Sequence, residues 1–298
     1  MITIKIFDTH CDTAYVLQKK NLPFDNDSTH ITKGQIDKYE IYEQLFAIWS
    51  NPKRTDEENW EHYKLVKKYF DEYILPFKNQ SFIPHLAVEG GALLGKDLSR
   101  LDVLKNDNVR MMTLVWKDEC EIGGAHNTNK GFTSFGKDVL RKMCEIGILP
   151  DISHASDKMS YETFEIADQY NIPVCASHSN SRKIREHTRN MTDDMFLNIK
   201  KTNGLVGINF CCEFLEYTDT KTAYLPSIIR HIEHFMSLGG EKTVCLGCDF
   251  DGISTLPIGI EGVKSHDVLY DELRKLNYGE SLIEDIFYNN AHGFFEKH

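Results

Sequence analysis

The stretch Ile2–Asp12, ITIKIFDTHCD, joins a short apolar run to a group of polar side chains that includes His10 and Asp12. Short apolar runs rich in β-branched residues recur along the chain, and longer amphipathic stretches separate them. A strand that is covered on both faces is expected to be short and almost continuously apolar. The pattern predicts eight strands, namely Ile2–Phe7, Glu43–Trp49, Phe82–Val88, Val109–Trp116, Leu149–Ile152, Pro173–Ala176, Leu205–Phe210 and Thr243–Gly247.

The stretches between these runs have the periodicity of amphipathic helices. In one of them, apolar residues recur every three or four positions, at Trp60, Tyr63, Val66, Phe70 and Tyr73. Strands that alternate strictly with helices predict parallel pairing through right-handed crossovers. Eight such units in 298 residues predict a single α/β domain over residues 1–298, a (β/α)8 or TIM barrel. A doubly wound open sheet is the alternative, although no G-x-G-x-x-G sequence follows the first run.

The composition is that of a globular enzyme with a net charge of −11. A chain this acidic is repelled by nucleic acid and by anionic membrane surfaces, so neither is an expected partner. The chain has no run of about 18 apolar residues, and residues 1–7 lack the long apolar stretch and cleavage site of a signal peptide. The cytoplasm is therefore the predicted compartment.

The eight cysteines are scattered, and several lie within apolar runs, where they are typical of small buried residues. Cys245 and Cys248 form a C-x-x-C pair, but no second pair at zinc spacing accompanies them. Leu246 and Gly247 between them continue a strand pattern. Neither zinc binding nor redox chemistry is predicted for this pair.

Five of the eight predicted strands end in side chains that can bind metal ions or move protons. Because the active site of a TIM barrel lies at the carboxyl ends of its strands, these side chains converge in the predicted fold. His10 and Asp12 are two positions apart and can point to the same place. Imidazoles and carboxylates suit zinc and related divalent ions. The other members of the set are Glu89, His154, His178 and the D-x-D-G segment Asp249–Gly252.

Each of these features has a simpler structural interpretation when it is taken alone. A single histidine is more often a hydrogen-bonded, half-buried residue than a metal ligand. Glu89 fits a charge at a strand end or helix start, and Asp251 followed by Gly252 fits a turn. Their joint position at one rim of the predicted barrel is what favours a metal site.

The ordered set of motifs resembles the membrane (renal) dipeptidase family of metallopeptidases, which is part of the wider amidohydrolase superfamily. The resemblance runs from the first predicted strand to the last helix. The segments that carry it are FDTHCDTAY (Phe7–Tyr15), VEGG (Val88–Gly91), LPDISHAS (Leu149–Ser156), VCASHSN (Val174–Asn180), RNMTDD (Arg189–Asp194) and CDFDG (Cys248–Gly252).

The resemblance implies a site for two divalent metal ions, zinc first among them, although such ligands also accept manganese, cobalt or iron. In the implied arrangement, His10 and Asp12 hold one ion. His154 and His178 hold the other, and Glu89 bridges the two. A water or hydroxide between the ions is the implied nucleophile.

The resemblance also assigns roles outside the ligand set. Asp249 accepts a proton from the nucleophile and passes it to the leaving amine, while Asp251 is left as a turn residue. Arg189 matches the arginine that grips the terminal carboxylate of the substrate, a task that suits a planar guanidinium. Without the resemblance, Arg189 is an exposed loop arginine.

The chain departs from the best-known members of the family at one position. Those members carry a histidine just past strand four that stabilises the tetrahedral intermediate, and Trp116 takes its place here when residues are counted without gaps from Glu89. An indole N–H donates one hydrogen bond but carries no positive charge. Trp116 is thus a predicted substrate contact, and its presence is expected to change the catalytic efficiency from that of the best-known members. His126, in the nearby Gly-rich loop, is a candidate substitute, although a solvated loop histidine is the simpler interpretation.

The predicted function is that of a zinc-dependent dipeptidase, which hydrolyses the single amide bond of small dipeptides, including those with a C-terminal D-residue. Two alternatives stay open. The same metals could serve another amide or lactam hydrolase, for which Trp116 and the loop Lys117–Cys120 are the motive. The chain could also be a metal-binding homologue that has lost turnover. A homodimer is implied by the resemblance alone.

Overall fold

The computed structural model describes residues 4–217 and 222–298, so Ile2 and Thr3 of the first predicted strand lie outside the described residues. The strands in these ranges are β1 Lys5–Cys11, β2 Ile41–Trp49, β3 Phe82–Glu89, β4 Val109–Thr113, β5 Leu149–Asp151, β6 Val206–Ile208 and β7 Val244–Leu246. The helices are α1 Thr13–Lys20, α2 Lys33–Ile36, α3 Asp56–Tyr73, α4 Arg100–Asn106, α5 Ser134–Ile146, α6 Asp157–Gln169, α7 Asp193–Lys201, α8 Cys212–Leu215, α9 Leu225–Ser237, α10 His266–Lys275, α11 Glu280–Glu284 and α12 Asn290–Lys297. None of these helices is both long and apolar enough to cross a membrane.

The seven strands form one parallel sheet in the order β5-β4-β3-β2-β1-β7-β6. The predicted α/β fold with parallel strands is confirmed. The two edge strands are linked by a short segment, in which Cys175 pairs with Asp151 of β5 and Ala176 pairs with Val206 of β6. Because the sheet is parallel throughout, the carboxyl ends of all its strands lie at one end of the molecule.

The predicted strand Pro173–Ala176 is wrong in its extent, because only these two isolated bridges form there. The ladder towards β5 ends where the backbone amide of Ser177 donates to the Asp151 carboxylate, at 2.9 Å, and not to a backbone carbonyl. The first strand extends further than predicted. After a shift in register, Cys11 pairs with Phe46 of β2, so His10 lies within β1.

The hydrophobic core has two parts, one on each face of the sheet. The larger part packs the helices against the outer face. The smaller part contains one side chain from each strand or its flank together with Cys175, namely Phe7, Leu45, Ala87, Met111, Leu149, Leu205 and Cys245. Tyr288, Ala291, Phe294 and Phe295 from the last helical segment pack against this inner layer. Apolar side chains therefore fill the space inside the sheet towards the amino ends of the strands. The polar side chains lie at the carboxyl ends.

The inner face narrows just below the carboxyl ends of the strands. The Thr9 hydroxyl donates to the carbonyl of Ser177 at 2.6 Å and lies 2.9 Å from the carbonyl of Leu246. Gly207 and Gly247 face each other beside the same Ser177 carbonyl, and a Cβ on either one would overlap that oxygen. The close approach of these backbones requires glycine at both positions.

Gly247→Ala is expected to lower the free energy of unfolding by about 1–3 kcal/mol, the usual cost of overpacking a filled interior. Gly293→Ala in α12 is the control, because nothing lies within 4 Å of a Cβ added there. The control is expected to raise stability by roughly 0.5–1 kcal/mol, as glycine is a poor helix former. Denaturant unfolding of both variants measures the difference. A Gly247→Ala variant as stable as the unmodified protein would contradict the proposed overlap.

Candidate active site

The residues predicted to form the site lie together at the carboxyl end of the sheet. His10 is in β1 and Glu89 ends β3, while the others follow strand ends or the short edge segment. These others are Asp12, His154, His178 and Asp249. Strand termini that are far apart in sequence thus deliver six ligand-type side chains to one place.

His10 lies among three carboxylates. Its Nε2 atom is 3.6 Å from Oδ2 of Asp12, 3.8 Å from Oε1 of Glu89 and 3.8 Å from Oδ1 of Asp249. Burial alone lowers the pKa of His10, but the neighbouring carboxylates, Asp12 first among them, outweigh it and raise the pKa to about 10. The local field therefore favours a positive charge at this point.

Glu89 connects this group to two further imidazoles. Its Oε1 atom lies 2.9 Å from Nε2 of His154 and 3.3 Å from Nε2 of His178, and these two nitrogens are 3.1 Å apart. Burial raises the pKa of Glu89 well above its usual range, and burial lowers the pKa of both histidines. Both imidazoles are consequently neutral at pH 7, the form in which histidine binds metals.

These separations fit ligand atoms that share divalent cations. Two ligand atoms that each lie about 2.1 Å from a tetrahedral zinc ion are about 3.4 Å apart. Nε2 of His10 is also buried with no hydrogen-bond partner among the described residues. Buried polar atoms without a partner are costly, and a ligand that pairs with them removes that cost. The residues present therefore fit the metal ions that the resemblance implies.

A hydrogen-bond relay that sequence reasoning missed sets the orientation of His178. The Ser177 hydroxyl donates to Oδ2 of Asp151, which also accepts the Thr113 hydroxyl at 2.6 Å. The Ser177 oxygen lies 2.7 Å from Nδ1 of His178 and, with its own proton engaged, accepts the proton on that nitrogen. The Nε2 lone pair of His178 is then free to face Glu89. The signal in the sequence was a carboxylate, Asp151, inside the apolar run Leu149–Ile152.

Asn209 is a second residue that was missed, and it supports Asp249. Its side-chain amide donates to Oδ2 of Asp249 at 2.9 Å and is completely buried. Burial raises the pKa of Asp249 to about 6, against the lowering effect of His10. The only hint was a polar residue inside the apolar run Leu205–Phe210.

Arg189 lies in the same site and is almost completely buried, which contradicts the simpler picture of an exposed loop arginine. Its guanidinium donates to the carbonyl of His178 and to the hydroxyl of Ser179, both at 3.0 Å, and lies over the ring of Phe214. Nε of Arg189 is buried without a partner among the described residues. These two bonds use two of the five N–H groups of a guanidinium, so donors remain for a ligand in the cavity that Arg189 lines.

A cavity of about 550 Å³ opens above the ligand cluster, and Trp116 and His126 both line it. His126 is held by the Thr188 hydroxyl, 2.9 Å from its Nδ1. Burial lowers the pKa of His126 to about 4, and the nearby Arg189 charge adds to this effect. His126 is thus a neutral, half-buried residue of the cavity wall and not a solvated loop histidine. Asp251 lies in a turn with φ 65° and accepts the Thr13 hydroxyl at 2.6 Å.

The sequence model of the membrane dipeptidase family (peptidase family M19) matches residues 53–297. The chain belongs to this family. The matched region begins after His10 and Asp12, so only the geometry above joins these two residues to the rest of the site.

Curated proteins named as dipeptidases share sequence with this chain. Dipeptidase 3 of Rattus norvegicus is 29% identical over 215 residues, which is 69% of this chain and 43% of that protein. The chain thus spans less than half the length of the curated relatives it matches.

Two solved structures have the same fold. The family M19 metallopeptidase dipeptidase AC has a TM-score of 0.90 at 23% identity, covering 99% of this chain and 98% of its own. A metallopeptidase of Rhodobacter sphaeroides, bound to a phosphinate mimic of the dipeptide L-Ala-D-Ala, has a TM-score of 0.88 at 22% identity, covering 99% of both chains.

Ser177→Ala is expected to weaken metal binding by about 10–100-fold, because His178 loses the partner that sets its tautomer. Ser160→Ala is the matched control, since Ser160 is also buried and its hydroxyl donates to the carbonyl of Ser156, the residue that precedes its own helix. Metal titration of the metal-free protein by calorimetry measures both affinities. Equal affinities in the two variants would rule out the relay.

Proposed function

We propose that this chain is a metallo-dipeptidase that hydrolyses the amide bond of small dipeptides. The observation that carries the proposal is the position of the Glu89 carboxylate, whose Oε1 atom lies within 2.9–3.8 Å of imidazole nitrogens of His10, His154 and His178. This oxygen lies between His10 on one side and His154 and His178 on the other, a position that suits a carboxylate shared by two metal ions. Family membership and the cavity above the cluster support the same function.

The proposed site holds two divalent metal ions, zinc first among them. His10 and Asp12 would hold one ion, His154 and His178 the other, and Glu89 both. Such ions, when bound, supply a water nucleophile at neutral pH and polarise the carbonyl of the substrate. The protein residues fix where this chemistry occurs, because the ligands come from strand ends that the sheet holds in place.

Asp249 is proposed to move the proton. Its Oδ1 atom is beside His10, its Oδ2 atom is held by Asn209, and the side chain lines the cavity. A carboxylate fixed by one oxygen and open at the other can accept a proton from the attacking water and deliver it to the leaving amine.

Arg189 is proposed to bind the carboxylate at the C-terminal end of the dipeptide, and Trp116 to contact the substrate. Charge-assisted bonds from a guanidinium to a carboxylate are among the strongest available in a protein. The phosphinate mimic of L-Ala-D-Ala bound to the Rhodobacter sphaeroides enzyme supports a substrate range that includes a C-terminal D-residue.

The proposal extends to the scaffold. The Cys175–Ala176 segment would serve as the eighth strand of a closed (β/α)8 barrel, since it pairs with both edge strands and contributes to the inner apolar layer. One domain over residues 1–298 is part of the same proposal. A cytoplasmic location and a homodimer stay predictions.

Purified protein is expected to contain about two divalent metal ions per chain by elemental analysis. It is expected to cleave L,L and L,D dipeptides before chelation and not after, with recovery on addition of zinc. Two ions with cleavage confined to N-acyl amino acids or lactams would point to the alternative amide hydrolase. Two ions with no cleavage of either panel would point to a metal-binding homologue. Protein that binds no metal would overturn the proposal.

Asp249→Asn is expected to lower kcat by about 10²–10⁴-fold, the usual contribution of a general acid or base, while the metal content stays at the level of the unmodified protein. The asparagine keeps the shape and the partner Asn209 but cannot take up the proton. Asp138→Asn, on the exposed face of α5, is the control. Steady-state kinetics and elemental analysis on the same samples make the comparison. Unchanged turnover in Asp249→Asn would assign the proton transfer to another group.

A further inference from the structure

One wall of the cavity is made of aromatic rings from three separate segments. Tyr15 comes from the first turn of α1, Trp49 ends β2, and Trp116 follows β4. The rings of Tyr15 and Trp49 meet edge to face with centroids 5.3 Å apart, and those of Trp49 and Trp116 are tilted at 4.8 Å. All three are only half-buried, so part of each ring is open to the cavity. These three residues form an aromatic wall.

The aromatic wall is supported from behind. His62 packs against Tyr15 and Trp49 at centroid distances of 5.4 and 5.8 Å, and the Arg54 guanidinium lies over Trp49 at 5.0 Å. Trp116 lies against Gly90, where a side chain would bring its Cβ to 3.0 Å from that of Trp116. Rings held in this way present a preformed apolar surface. The protein side chains therefore lose little conformational entropy when a ligand side chain covers that surface.

The aromatic wall and Arg189 lie on different sides of the ligand cluster. Trp49 pairs in register with Glu89, so the wall flanks β3. Arg189 instead bonds residues that follow the Cys175–Ala176 segment, beside β6, and three strands separate β6 from β3 in the sheet. A dipeptide whose carboxylate is on Arg189 and whose amide lies at the ligand cluster directs its amino-terminal residue towards the wall.

The charges near the wall select the kind of side chain. Lys117, next to Trp116, lines the cavity. Its positive charge disfavours a lysine or arginine side chain of the substrate at this place. Aromatic faces instead gain most from large apolar or aromatic groups.

We propose that Tyr15, Trp49 and Trp116, which converge on the cavity opposite Arg189, form a subsite for a large apolar side chain on the amino-terminal residue of the substrate. The preferred substrates are therefore dipeptides that begin with residues such as Phe, Leu or Trp. This inference rests on the proposed dipeptidase function. The inference adds a preference for one class of dipeptide, which neither the metal ligands nor Arg189 determines.

The test compares metal-loaded protein on dipeptides X-Ala with X as Gly, Leu, Phe and Lys, and on Ala-Gly and Ala-Phe. For the unmodified protein, kcat/KM is expected to be about 10–100-fold higher for Phe-Ala than for Gly-Ala, the usual range for one buried apolar group. Trp116→Ala and Trp49→Ala are each expected to reduce that ratio about tenfold, whereas Trp116→Phe keeps most of it. Tyr73→Ala, an exposed aromatic on α3, is the control and leaves the ratio unchanged.

A binding measurement separates this inference from the proposed function. Calorimetry with metal-loaded Asp249→Asn, in which turnover is expected to be slow, gives the Kd ratio of Gly-Ala to Phe-Ala, and Trp116→Ala in that background is expected to reduce the ratio about tenfold. Binding preference without cleavage in the unmodified protein would keep the subsite and remove the dipeptidase function. Cleavage with no preference for X, or with preference set by the carboxy-terminal residue, would overturn the subsite. If Trp116→Ala does not fold, Trp49→Ala decides the outcome.

Discussion

The structure depends on holding three carboxylates and three imidazoles within a few ångströms of one another at a buried place. Asp12, Glu89 and Asp249 repel each other there, and burial adds to the cost of their charges. The field they create raises the pKa of His10 to about 10, although burial acts against it. A buried site of this kind is unfavourable by itself and favourable once divalent cations neutralise it, so the surrounding fold has to keep these groups from moving apart.

The scaffold does this with bonds that join one strand end to another. Oδ1 of Asp8 accepts the backbone amides of His10 and Cys248, both at 3.1 Å, and so links β1 to the segment after β7. Oδ1 of Asp151 accepts the amides of Ser153 and Ser177 in the same way, at 2.8 and 2.9 Å. Each carboxylate takes the place of a backbone carbonyl at the point where a regular ladder stops. The side chains of Asp8 and Asp151 thus help to fix the geometry of the site.

This explains which features the sequence could predict. The apolar runs and the ligand residues that follow them are local patterns, and parallel pairing brings the carboxyl ends of strands together, so His10, Glu89 and His178 could be expected at one place. The extent of the Pro173–Ala176 strand could not, because it is decided by Asp151, a residue on another strand. The supporting roles of Ser177 and Asn209 were equally invisible, since each depends on a partner more than 20 residues away. Trp49 was predicted only as the end of a strand and Tyr15 only as part of a motif, because their spacing says nothing about a cavity.

Two residues of the site have unfavourable backbone conformations that must be held by the surrounding structure. His154 has φ 70° and Asp249 has φ 62°, a region that non-glycine residues rarely occupy. The carbonyl of His154 accepts the amide of His126 at 2.7 Å, and the amide of Asp249 donates to the carbonyl of His10 at 3.2 Å. Both strained residues are thus fixed by bonds to other segments that do not involve a metal ion. Strain of this kind persists only where the rest of the structure determines it. The surrounding segments therefore set the backbone conformation at both of these positions.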